Sequence, residues 1–183
     1  MTGIDISAAL ISKARKAERD QPLGIRYIHA DVTSPGWLGA AVFDAVTCNF
    51  GLSDIDDLDR AVDAVSSALR PGGPFVFSIL HPCFPGGSDV AGSWPTTGRY
   101  YDEGLWIADA KLSTLRRQVG ASHRMLSTYL NGLRQRGLWV DEIAEPVPPP
   151  QWGHEGGDAD RGPVFLAVRC VKATGGSTPP AAR

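Results

Sequence analysis

The chain has 183 residues, 43% hydrophobic and 21% charged, with a formal net charge of −2. That length suits one domain with a sizeable core and is short for two, and the balance of charge gives no electrostatic reason to expect DNA or an anionic membrane as partner. No apolar run approaches the roughly 18 residues of a membrane span, no secretory signal opens the chain, and Cys48, Cys83 and Cys170, in no metal-ligand spacing, read as reduced thiols of a cytoplasmic protein.

The pattern begins with a short strand over 2–6 that carries Asp5 at its end. Ser7 can cap the following helix. Its apolar face holds Leu10, Ile11, Ala14 and Ala17, with Lys13, Arg15, Lys16 and Arg19 on a solvated face. A second strand over 25–30 ends at Asp31, and a loop with Pro35, Gly36 and Trp37 leads to residues 43–49. That run is apolar, β-branched or small and breaks at once into Asn49, Phe50 and Gly51, so it reads as an interior strand of a parallel sheet. The carboxyl end of such a strand faces the crevice where open α/β sheets bind ligands. Next comes a helix with Asp56, Asp57 and Asp59 in its first turn and Arg70 in its last, both favourable to the macrodipole. Leu58, Ala61, Val62, Val65 and Leu69 form its buried stripe, and Pro71, Gly72 and Gly73 end it before a strand over 74–80.

Residues 81–120 are rich in Pro and Gly, yet Phe84, Trp94, Tyr100, Tyr101 and Trp106 suit a lid over a pocket better than disorder. Ser122 is expected to cap a helix bearing Leu126, Tyr129, Leu130 and Leu133, closed by Gly137. Strands over 138–144 and 163–171, joined without a helix, imply an antiparallel pair at the sheet edge. The expectation is one α/β domain over 1–172, a Rossmann-like doubly wound sheet with helices on both faces, the segment 81–120 as insert or lid, and a disordered tail over 173–183.

The order of these motifs resembles the class I S-adenosylmethionine-dependent methyltransferases of small-molecule type. Gly3-Ile4-Asp5-Ile6-Ser7 resembles their second strand, Ala30-Asp31-Val32 the end of the third, and Phe43-Asp44-Ala45-Val46 with Asn49-Phe50-Gly51 the fourth. Leu69-Arg70-Pro71-Gly72-Gly73 matches the turn before the fifth. The resemblance implies S-adenosyl-L-methionine as cofactor and methyl transfer to a small organic acceptor. It implies a ribose held by Asp5, adenine against Ile6, the adenine amino group donating to Asp31 with the Val32 backbone at the ring edge, and the methionine end beside Asn49, Phe50 and Gly51. An ionised carboxylate is an acceptor-only group that can take both ribose hydroxyls, which is why Asp suits that place. His81, just past the strand over 74–80, is the candidate catalytic residue, positioned to take a proton from the acceptor. Read alone, each Asp is equally a turn or cap residue, His81 a ring in a His-Pro turn, and His123 and Arg124 either pocket lining or a solvated helix start.

One departure from the family matters. Its members place a strand, a glycine-rich turn and a helix before the acidic strand, whereas Met1 here falls beside that strand. The first strand and helix are therefore expected to be missing, leaving a gap between the strands ending at Asp5 and Asn49. A truncated sequence or a start codon assigned too late, with weak cofactor binding and impaired activity, is the corresponding expectation. Two alternatives stand beside it: a fragment of an NAD-dependent oxidoreductase, with Asp5 on the NAD ribose, and a non-catalytic fragment that pairs its exposed strands with another chain or with itself.

Overall fold

Strand β4 (Pro74–Leu80) runs through the middle of the main sheet, with β3 (Val46–Asn49) parallel on one side and β8 (Phe165–Lys172) antiparallel on the other. The order is β3-β4-β8-β7, where β7 (Leu138–Ala144) pairs antiparallel with β8 through a bulge between Val140 and Glu142. The computed structural model describes residues 1–34, 40–83, 100–107, 120–147, 163 and 165–175. Pro35, Gly36, Trp37, Phe84, Trp94, most of the segment 81–120 and the tail from 176 lie outside the described residues.

Alternation along β4 decides which face is core. Phe75, Phe77 and Ile79 are buried, whereas Val76 between them is 39% exposed. The buried face meets Leu166, Val168 and Cys170 of β8, and it is covered by α2 (Leu58–Ala68) and α3 (Leu126–Gln135) through Leu58, Val62, Val65, Tyr129 and Leu133. Helix α2 starts where expected, because Asp57 accepts from the Arg60 N–H at 2.9 Å and Asp59 loads the first turn. Arg70 lies beyond the helix and pairs with Asp44 instead. Gly137 follows α3 with φ +69°, a left-handed geometry that glycine adopts without a Cβ penalty.

The interior position expected for residues 43–49 is not observed. Only Val46–Asn49 form the strand, with Phe43 reduced to an isolated bridge to Leu69. Among the described residues β3 pairs with β4 alone and is therefore an edge. The other parallel pair, β1 (Thr2–Asp5) with β2 (Arg26–His29), forms a separate two-stranded sheet, joined by α1 (Ala8–Asp20). The break thus falls between β1 and β3. The sheet is split, and its main part carries described helices on one face.

Burial measures how lightly the first unit is held. Ile11 is the only buried residue among the described residues of 1–50. Leu10, expected on the apolar face of α1, is 52% exposed. Local polar contacts take over much of the work: Glu18 accepts from the Leu23, Gly24 and Ile25 N–H groups at 2.8, 2.7 and 3.1 Å, which closes the turn into β2.

A further correction concerns residues 121–123. They form strand β6 (Ala121–His123), antiparallel to β5 (Gly104–Trp106), so Ser122 is inside a strand and α3 begins four residues later. Pairing with β5 holds this stretch extended, which local sequence could not signal. Because Phe77 is 1% exposed and Val76 39%, Phe77→Ala is expected to cost about 3–5 kcal/mol. Val76→Ala should stay within about 0.5 kcal/mol. Urea unfolding of both variants checks the assignment of the two faces.

Candidate functional site

Asp5 and Asp31 sit at the carboxyl ends of the adjacent parallel strands β1 and β2. Asp5 Oδ1 accepts the Ser7 N–H at 2.7 Å while Ser7 Oγ accepts from the Leu10 N–H at 3.3 Å, so the capping task falls to Ser7. A carboxylate offers about four lone-pair positions, and Asp5 spends one of them. Asp31 is more heavily engaged: Oδ1 accepts from the Thr33 hydroxyl and N–H at 2.7 and 2.8 Å, and Oδ2 from Ser34 Oγ at 3.3 Å. The Thr33 hydroxyl, then its N–H, holds the Asp31 carboxyl below the usual range, and Arg60 in the first turn of α2 adds to this. Ile6 is 69% exposed, with its carbonyl accepting from His29 Nε2 at 2.9 Å, and Val32 is half-buried.

Asn49 ends β3, and its Oδ1 accepts from the Ser78 hydroxyl at 2.5 Å. Phe50 follows with φ +54°, and its N–H donates to the Ser78 carbonyl at 3.0 Å. A non-glycine residue held left-handed costs about 1–3 kcal/mol and tends to mark functional rims. The Phe50 ring meets Phe165 edge-on, centroids 5.5 Å apart, and packs with Leu80 and Ala121 into an apolar wall. Gly51 has an ordinary φ of −82°, but a Cβ there would lie 2.8 Å from Cys48 Sγ. Close approach, rather than a turn, demands glycine.

The turn after Gly51 (Leu52–Asp54) is pinned from far away in sequence. Arg124, 8% exposed, donates to the carbonyls of Leu52, Ile55 and Asp56 at 3.1, 2.5 and 2.8 Å, and Ser122 Oγ donates to Asp56 Oδ1 at 3.3 Å. Arg124 is neither a solvated helix start nor pocket lining; it is a buried strut that fixes the loop carrying the rim. Tyr100 likewise serves as an anchor, its hydroxyl accepting the Leu126 N–H at 3.0 Å and its carbonyl accepting from His123 Nε2 at 2.9 Å. Glu103 accepts from the Met125 N–H and Thr128 Oγ1, both at 2.6 Å, so Tyr100 and Glu103 together cap α3 from another segment. Tyr101 is 77% exposed and touches the Tyr100 ring edge-on.

His81 is 2% exposed. Its Nδ1 accepts the Cys83 N–H at 3.2 Å, which requires the neutral ring to carry its proton on Nε2, and Nε2 then donates to Glu145 Oε1 at 2.9 Å. Glu145 directly follows β7, and nothing in its sequence surroundings marks it out. Among the described residues no cluster of His, Cys, Asp or Glu is arranged to hold a metal, and no helix is long and apolar enough to cross a membrane.

Comparison with known proteins decides the family. A methyltransferase-domain family profile matches residues 1–77. The crystal structure of an S-adenosylmethionine dependent methyltransferase from Mesorhizobium loti superposes with a TM-score of 0.72 at 30% identity, over 93% of this chain and 79% of that one. This chain belongs to the class I S-adenosylmethionine-dependent methyltransferases. The uncharacterized methyltransferase Rv0089 of Mycobacterium tuberculosis is 31% identical to it over 156 residues, 85% of this chain and 61% of that protein, so the chain spans about three fifths of such a curated relative. At 15% identity, the Burkholderia thailandensis 1,6-didemethyltoxoflavin-N1-methyltransferase, crystallised with bound 1,6-didemethyltoxoflavin and S-adenosylhomocysteine, shares the fold, with a TM-score of 0.60 over 94% of this chain and 61% of that one. The cofactor of the family is S-adenosylmethionine, and its membership leaves the oxidoreductase reading without support.

The chemistry of these groups is compatible with such a cofactor: Asp5 has acceptor capacity that would serve two hydroxyl donors, Asp31 has capacity for an amino donor, and the close packing at Gly51 would admit no larger side chain.

Burial of Arg124 and Cys170, with the partial burial of Cys48, has three measurable consequences. Arg124→Met removes the donor from three carbonyls, of which that of Leu52 is the fully buried one, and a buried group left unsatisfied costs about 1–3 kcal/mol, so a loss of about that size is expected on chemical denaturation. Burial pushes the Cys170 thiol up to about 12 and raises that of Cys48 as well, whereas Cys83 is exposed. With a thiol reagent at pH 8, Cys83 should react promptly and the other two only after unfolding. The raised value has a thermodynamic counterpart: the stability tied to a protonated Cys170 is intact below its ordinary value near 9 and is lost as pH climbs toward about 12. Cys170→Ala should flatten that decline.

Proposed function

We propose that the protein transfers a methyl group from S-adenosylmethionine to a small organic acceptor. The observation that carries this is Asp5 at the carboxyl end of a parallel strand with most of its acceptor capacity unspent, in a chain of this family, and the left-handed Phe50 and close-packed Gly51 past the end of another parallel strand support it. The cofactor supplies a methyl group already activated by a positively charged sulfur, so the chain's own share is alignment and exclusion of water. In this reading Asp5 accepts from the ribose, Ile6 lies against the adenine, Asp31 accepts from its amino group beside the Val32 backbone, and Asn49, Phe50 and Gly51 border the methionine end. Phe50, Phe165 and Leu80 offer an apolar wall for the acceptor's body, and His81 contributes to proton removal through the group it touches. The small acceptor is supported by that wall and by the absence of a cationic surplus in a chain of net charge −2. Three free thiols suit a reducing, cytoplasmic setting.

Among the described residues β1 and β3 each pair with a strand on one side only, which favours a second reading, compatible with the first: self-association by strand pairing. Sedimentation velocity across a hundredfold concentration range should then show a concentration-dependent dimer, and a monomer throughout would remove the idea.

For the main reading, S-adenosylhomocysteine at millimolar concentration is expected to raise the melting temperature saturably. Asp5→Ala should weaken that binding by about 10–100-fold, the worth of a hydrogen bond to a charged group. No shift in the unsubstituted chain, or an unchanged shift in the variant, would tell against the proposal.

A further inference from the structure

Methyl transfer to a hydroxyl or amine must dispose of a proton, and the buried His81 ring is badly placed to take it. Both of its nitrogens are engaged, Nδ1 by the Cys83 N–H at 3.2 Å and Nε2 by Glu145 at 2.9 Å, and its side chain is only 3% exposed. Glu145 is the opposite case. It follows the carboxyl end of β7, which runs parallel in direction to β4 because both are antiparallel to the intervening β8, so it stands on the same rim as His81 and Phe165. Its side chain is 51% exposed, and among the described residues Oε1 alone is engaged, by His81.

Resting on the methyl-transfer reading above, we propose that Glu145 is the proton acceptor of this rim and that His81 is its positioning residue. His81, held as the Nε2–H tautomer by the Cys83 amide, pins Oε1 and leaves Oε2 turned to the acceptor. A lone pair on the acceptor's oxygen or nitrogen forms the new bond to the methyl carbon; the bond from that carbon to sulfur breaks with its pair left on sulfur; the acceptor's proton passes to Glu145 Oε2, which becomes a neutral acid. The aromatic wall of Phe50 and Phe165, at the same end of the sheet as this carboxylate, selects an acceptor with a flat apolar body and one ionisable hydroxyl or amine.

The test has two arms. Long-range ¹H–¹⁵N spectra of the histidine rings, with His81 assigned through His81→Gln, should show the Nε2–H tautomer, retained in Glu145→Gln and lost to tautomeric exchange in Glu145→Ala. An Nδ1–H ring in the unsubstituted chain overturns the assignment of Glu145. The second arm follows tritiated methyl transfer from S-adenosylmethionine to catechol and to aniline as hydroxyl and amine probes. Glu145→Gln should lower kcat by at least about 100-fold, the usual share of general base catalysis, with KM and S-adenosylhomocysteine binding little changed. His81→Gln, which can still donate to Glu145, should keep most of the rate, and His81→Phe should lose it. A Glu145→Gln rate within threefold of the parent overturns the proposal. Should the parent bind S-adenosylhomocysteine yet methylate neither probe, the small-acceptor reading on which the role rests is overturned, whatever the tautomer shows.

Discussion

Seven consecutive residue pairs tie β4 to β8, from Pro74 opposite Val171 to Leu80 opposite Phe165, and the rest of the molecule hangs on that ladder. It joins the two halves of the chain, supplies the buried slab of Phe75, Phe77, Leu166, Val168 and Cys170, and gives α2 and α3 a surface to cover. It also sets the rim. Leu80 and Phe165 emerge at one end of it, with His81 and Glu145 just beyond, and β3 adds Asn49 from the side. Without this pairing Phe165 and Glu145 would have no reason to be neighbours of Leu80 and His81.

Around the slab the protein is held unevenly. Residues 52–80 and 121–170 hold the described core, while the β1–α1–β2 unit contributes Ile11 and relies on short-range polar contacts such as those of Glu18. Asp5 and Asp31 are therefore displayed by the least buried part of the structure, and Asn49, Phe50 and Gly51 by one of the best braced, with Arg124 reaching under the loop. Local stability need not be uniform within one fold, and ligand-binding segments are commonly drawn from its weaker end.

Legibility followed the range of the interaction. Helix α2 could be read from its own residues, because its cap and stripe lie within a few positions of one another, and so could β4 after the Pro71-Gly72-Gly73 turn and the β7–β8 pair. Asp5 and Asp31 were legible as strand ends, and the competing turn role of Asp31 was too, since Thr33 and Ser34 are its neighbours. What escaped depends on distant partners: Ser122 sits in a strand because β5 lies beside it, Arg124 is buried because three carbonyls from 52–56 surround it, and Glu145 matters only through a contact 64 residues away. The break between β1 and β3 turned a run with the composition of an interior strand into an edge.

The β4–β8 ladder has an evolutionary corollary. It closes the whole stretch between Leu80 and Phe165 into one loop, and the entropy of closing a loop grows only with the logarithm of its length, so even a doubling costs about 0.6 kcal/mol. Descendants of this scaffold are consequently at liberty to lengthen the connections within that stretch at little thermodynamic cost, but not to exchange α3 and β7, which carry Tyr129, Leu133 and Leu138 into the core. Diversification of chemical taste can proceed there while the slab itself stays put.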